Sequence, residues 1–168
     1  MRRLRGIGVA VLVIGTLAAA AGAQPPAIVP GQSLGDFRLG QDVTPLLDQL
    51  GPLHSQDDLP GDALTGYYWP LRHIGAIAEK TTHKIVALVV SLDDTYRTDK
   101  GIMAGAEMDA VRAAYGREDG VEDHPDDQLL IYDRLGVAFV VDRTGPLGHR
   151  VSAIFVFTPG HYHDIFQP

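Results

Sequence analysis

Cysteine is missing from the 168 residues. That excludes disulfide staples, thiolate zinc sites, cysteine nucleophiles and lipid attachment through an N-terminal cysteine. Basic residues are scarce, with 14 Lys+Arg against 21 Asp+Glu, and the formal net charge is −7. A surface that recognises nucleic acid or anionic lipid needs the opposite balance, so neither is an expected partner. Long apolar runs are also lacking. The longest, Ile7 to Ala21, falls short of a comfortable bilayer-spanning helix. Charged residues make up 21% and mean hydropathy is near zero, the balance of a folded globular chain rather than a disordered one.

What the N-terminus does contain reads as an export signal. Arg2, Arg3 and Arg5 precede the apolar run, and Ala21-Gly22-Ala23 offers small residues at a cleavage site before Gln24. Residues 1–23 are therefore expected to be a signal peptide. The mature protein is then periplasmic or extracellular, with no membrane insertion after cleavage. Its formal charge is −10, because the three arginines leave and no acid does. The export compartment is oxidising, yet the chain has no disulfide, so its hydrophobic core must hold it together.

Residues 24–30 carry three prolines and predict an extended lead-in. The segment Arg38 to Gly51 then lines up, without a gap, on Met103 to Gly116. Gly40 matches Gly105, Gly51 matches Gly116, and the apolar spacing between them agrees. Further on, Ile74–Ala78 resembles Leu135–Phe139, and Lys84–Val90 resembles Arg150–Val156. Parts recurring in the same order predict a tandem repeat, 31–98 and 99–160, followed by a C-terminal tail at 161–168.

Each unit should open with a short helix. Val43, Leu46, Leu47 and Leu50 form one apolar stripe at helical period, with Asp42 as cap, Pro45 in the first turn and Gly51 as stop. Met108, Val111 and Tyr115 repeat the stripe before Gly116, with Glu107 a poorer cap than Asp42. Strands are expected at 73–79 and 84–92, and again at 136–142 and 149–157. Tyr67-Tyr68-Trp69 and Leu129–Tyr132 should add one strand to each sheet. The predicted fold class is α+β: two tandem repeats, each a short helix followed by an antiparallel β-meander.

These strands do not alternate apolar with polar. Ile85, Ala87 and Val89 point one way and Val86, Leu88 and Val90 the other, so both sheet faces are apolar. Two short helices cannot cover both. The second face needs the other repeat, a second copy of the chain or a partner protein.

The helix motif at Gly40–Gly51 and Gly105–Gly116, each followed by a meander, resembles the β-lactamase inhibitory proteins. It is also similar to the small lipoproteins of the outer-membrane barrel-assembly machine. The resemblance covers the layout of residues 31–157 and implies paired units whose sheets form a protein-binding surface. The inhibitors have disulfides and the lipoproteins a lipid-bearing Cys. This chain has neither, so the likeness concerns fold and not a particular partner.

No catalytic constellation is found. None of Ser33, Ser55, Ser91 and Ser152 lies in a nucleophile elbow, and no glycine loop has the spacing that cradles phosphate. The run Glu118–Asp127 lacks EF-hand spacing and reads as a solvated loop. No cofactor is implied. The leading expectation is a non-enzymatic module that binds another protein through a sheet face, with Tyr67, Tyr68, Trp69 and Tyr132 as anchors. A homodimer through the same face is the related expectation. The alternative, a metal-binding protein or metal-dependent enzyme, rests on His161, His163 and Asp164, the two imidazoles being a pair that needs a third ligand from elsewhere.

Overall fold

The computed structural model describes residues 27–144 and 147–167. The expected signal peptide lies outside them. The fold is α+β, dominated by antiparallel strands, with few and short helices.

In chain order the elements are β1 (Ala27–Val29), β2 (Ser33–Leu34), β3 (Phe37–Arg38), α1 (Thr44–Leu50), β4 (Ser55–Asp58), β5 (Leu64–Trp69), β6 (Ile74–Glu79), β7 (Ile85–Ser91), β8 (Arg97–Thr98), α2 (Met108–Tyr115), β9 (Gly120–Asp123), β10 (Asp127–Tyr132), β11 (Val137–Asp142), β12 (Val151–Phe157) and α3 (Tyr162–Phe166). Strands β4 to β7 and β9 to β12 make one eight-stranded sheet in the order β4-β5-β6-β7-β12-β11-β10-β9. β7 and β12 pair antiparallel at its centre, Val89 opposite Phe155 and Ser91 opposite Ala153. A small second sheet, β3-β2-β1-β8, closes with a parallel pairing of β1 on β8.

Helix α1 starts where Asp42 Oδ1 accepts the Thr44 N–H at 2.8 Å and stops at Gly51, whose N–H bonds to Leu47 O. Glu107 makes no such cap at α2 and instead pairs with Arg150 at 3.2 Å. Both helices bury their stripes, Leu46 and Val111 completely, against one face of the large sheet. The small sheet adds Ile28, Leu34 and Phe37 to the same core. That core also takes Trp69, Ile74 and Leu88 from one half of the chain and Tyr132, Phe139 and Ile154 from the other, so both halves share it.

The extended lead-in continues as a strand: β1 pairs on both sides and its Ile28 is fully buried. Three expectations need correction. The acidic stretch after α2 is not all loop, because Gly120–Asp123 pairs with β10 as an edge strand. An edge strand buries little, so its sequence stays polar and hides its pairing. The tail is not an extension either. Residues 162–166 form α3, with Tyr162 and Ile165 buried against the second face of the large sheet beside Ala87, Ala138 and Phe157. The chain's own C-terminus thus covers part of that face. Finally, Ile74 opposes Val90 as Val137 opposes Val156, so Ile74 corresponds to Val137 and not to Leu135.

Candidate functional site

The four aromatic candidates divide by strand face. In β5, Tyr67 and Trp69 point toward the helices and Tyr68 away from them, because side chains alternate along a strand. Trp69 is 1% exposed and Tyr132 2%, so both are core residues, unavailable to a partner in the folded chain. Each closes a helix from below. Trp69 Nε1 donates to Gly51 O at 2.9 Å, and Tyr132 Oη donates to Gly116 O at 3.0 Å. Their aromatic surface and single donor match an apolar pocket that ends in one unpaired helix carbonyl. Burial pushes the Tyr132 phenol up to about 12, with the Glu118 charge adding to it. Tyr67 is half-buried beside Trp69 and the His54 ring. Tyr68 is exposed on the second face and shares a hydrogen bond with Ser91 Oγ at 3.3 Å.

The metal candidates diverge. His161 Nδ1 lies 2.8 Å from Asp164 Oδ2, while His163 Nδ1 lies 2.9 Å from Gln167 Oε1. The two imidazoles line separate depressions on either side of α3. An extended chain would put residues two apart on one side; a helix turns them about 200° from each other. No cluster of three or more His, Asp or Glu placed to hold a metal occurs among the described residues.

Helix α3 leaves part of the second face open. It lies over Leu64, Ala87, Phe157, Ala138 and Ile131, with Phe166 against Phe155. The register places Tyr68, Gly75 and Val89 in one cross-strand row, and Ser91, Ala153, Val140 and Leu129 in the next. Val89, Ala153, Val140 and Leu129 are half-buried, and Tyr68 is exposed. This strip crosses the sheet where β7 meets β12. Its β4 border carries Asp57 opposite Gly66, and its β9 border carries Glu122 opposite Leu129.

A second feature lies on the helix side, at the end of β5 and the start of β6. A cleft of about 760 Å³ opens between β1, the β2–β3 turn, α1, the β5–β6 turn and the loop after β7. Asp36, Gln49, Arg72, His73, Asp93 and Tyr96 supply its polar lining. His73 sits in the left-handed region at φ 54°. Its Nδ1 is buried without a partner, alone in this among the described side-chain atoms. Each of these departures costs on the order of 1–3 kcal/mol. Burial raises the Tyr96 phenol above its ordinary value, Asp93 and Asp36 add to the rise, and Arg72 opposes it. No local sequence pattern marks this cleft, because its residues come from five separated segments. The one local signal was a histidine at the tight β5–β6 turn.

The chain matches no family model and no curated protein. Among solved structures it is similar to the uncharacterized protein yfeY from Escherichia coli, at 14% identity and a TM-score of 0.53, covering 77% of this chain and 98% of that one. It is also similar to a cysteine-rich secretory protein from Staphylococcus aureus, at 11% identity and a TM-score of 0.45, covering 82% of this chain and 51% of that one. The likeness to the Escherichia coli protein is one of fold and of nothing further.

Proposed function

We propose that this chain is an exported, non-enzymatic binding protein. It is built from two tandem helix-plus-meander units and holds another protein on the uncovered strip of its large sheet. The repeat reading is supported by paired local devices. Gly40 N–H bonds to Ile85 O as Gly105 N–H bonds to Val151 O, at 2.7 and 2.8 Å. Asp42 bridges to Lys84 as Glu107 bridges to Arg150. Register shifts fall at Ile77/Ala78 and at Val140/Val141, and the Trp69–Gly51 and Tyr132–Gly116 bonds hold equivalent places. Unrelated halves would have no reason to share these.

The observation that carries the binding reading is the strip of exposed Tyr68 and half-buried Val89, Ala153, Val140 and Leu129, left uncovered while α3 shelters its neighbours. On this face β4 presents Asp57 and β9 presents Glu122, and acidic residues outnumber basic ones in the mature chain. The partner surface that fits is apolar at its centre and basic at its rim. Charge at the rim governs the association rate more than the affinity.

A photo-crosslinking residue in place of Val140, in the exporting cell, tests this. One discrete adduct to a different protein is expected, weakened by Val89→Asp and by raised salt. Adducts to a second copy of this chain, or none, would overturn the reading.

A further inference from the structure

We infer that the cleft beside His73 is a small-molecule site for a neutral, hydroxyl-rich ligand of the saccharide class. This stands apart from the sheet-face reading and rests on different residues.

The corresponding place in the second half of the chain is closed, which shows what an unused version looks like. There the left-handed residue after the β10 turn is Gly136, at φ 70°. A Cβ on it would collide with Phe157 O and Gly31 Cα, because Gly31 N–H bonds to Gly136 O and the β1–β2 turn packs into the gap. At the end of α2 stands Tyr115, where α1 has Leu50, and its ring fills the space against Tyr132 and Phe139. In the first half the place stays open, walled by Phe37, Leu50, Leu71 and Tyr96. A histidine there adopts the conformation that glycine adopts without strain. No protein group pairs with its buried Nδ1. Backbone strain and orphaned buried polar atoms cluster at functional sites.

The lining selects the chemistry. Arg72 only donates, Asp36 and Asp93 only accept, and Gln49, His73 and Tyr96 do both. Neither Arg72 nor Asp36 has an ion-pair partner of opposite charge among the described residues, and both act on Tyr96 together with Asp93. A carboxylate or phosphate would meet two aspartates, and an ammonium would meet the guanidinium. Hydroxyl groups, which donate and accept, satisfy all of these groups at once, while the apolar faces of a sugar ring suit Tyr96 and Leu71. The volume lies within the usual range for small-molecule sites, about 300–1,000 Å³.

The test is an amide ¹H–¹⁵N titration of the mature chain with matched disaccharides. Cellobiose is compared with anionic cellobiuronate, which keeps both rings, and N,N′-diacetylchitobiose with its cationic de-acetylated diamine. A neutral sugar should shift the amides of Asp36, Arg72, His73, Thr95 and Tyr96 saturably, and its charged counterpart should bind roughly tenfold more weakly. His73→Gly installs the residue that the second half uses here, so it should stay folded and melt no lower, yet bind roughly tenfold more weakly. Arg72→Ala, at an exposed and unbonded side chain, should weaken binding likewise. A tetramer that binds more tightly than the dimer assigns a glycan chain as ligand, and equal affinities assign a free sugar. The proposal falls if no neutral disaccharide moves these amides at about 20 mM, if a charged form binds better, or if His73→Gly and Arg72→Ala bind as the parent does.

Discussion

Gly51 and Gly136 both have positive φ, 83° and 70°, but their surroundings differ. A methyl group on Gly51 would meet nothing within 4 Å; on Gly136 it would strike backbone. Gly51→Ala should cost about 2 kcal/mol, because φ 83° with ψ −176° is a conformation that glycine alone adopts readily. Gly136→Ala should cost more than about 3 kcal/mol, since rigid backbone must move, and urea unfolding of both variants checks the ranking. Tyr132 makes a second residue-scale prediction, on pH. Its folded phenol is raised from 10.0 to about 12, chiefly by burial. The neutral form is favoured in the folded state. That stability is complete below about pH 10 and is lost as pH rises toward 12. Tyr132→Phe should flatten this alkaline slope. At neutral pH it should cost about 1–2 kcal/mol, because the Gly116 carbonyl loses its donor. A variant whose alkaline slope equals the parent's would refute the assignment.

Among the elements, α3 bears most on how the sheet is covered. It is only five residues long, yet it buries Tyr162 and Ile165 over Phe157 and Ala138, and Tyr162 Oη donates to Glu122 Oε2 at 3.0 Å. A helix this short has no stability of its own and exists because its apolar side is sheltered. Tyr162→Ala with Ile165→Ala should lower stability by about 4 kcal/mol and expose the second face, read as increased binding of a hydrophobic dye. Helices α1 and α2 were legible in the sequence, because an apolar stripe ending in glycine is a local pattern. The central strands were legible too, as apolar runs between turn residues. Strands β4 and β9 were not: Ser-Gln-Asp-Asp and Gly-Val-Glu-Asp carry no strand pattern, since edge strands are kept polar against unwanted pairing. Helix α3 escaped notice because Tyr162, Ile165 and Phe166 make too short a stripe to mark a period.

At the scale of the molecule, β7 pairs with β12 and one core takes side chains from both halves, so neither half holds a complete structure. Gly31, from the first half, also fills the gap beside Gly136 in the second. Residues 24–98 expressed alone should lack a cooperative unfolding transition, whereas the whole mature chain should unfold in one step. An independently stable fragment would contradict the shared core. The same joining of β7 to β12 makes the strip at Val89, Ala153 and Val140, which has no counterpart within either half. Its candidate anchors could not be sorted from sequence. Tyr67, Tyr68 and Trp69 are adjacent letters, and only their pairing with β4 and β6 puts Tyr68 outside and Trp69 in the core.

The chain by itself determined the short-range features: the acidic charge, the absence of covalent staples, the two helix motifs and the doubly apolar strands. Each follows from composition or from spacing within about ten residues, the range over which helix period and strand alternation act. Only the tertiary structure decided how the two sheet faces are covered, which aromatic rings are reachable, and that Asp36, Arg72, His73, Asp93 and Tyr96 surround one cleft. Those outcomes depend on contacts between residues far apart in the chain, set by strand register and by which surface finds shelter first, and no local pattern encodes them.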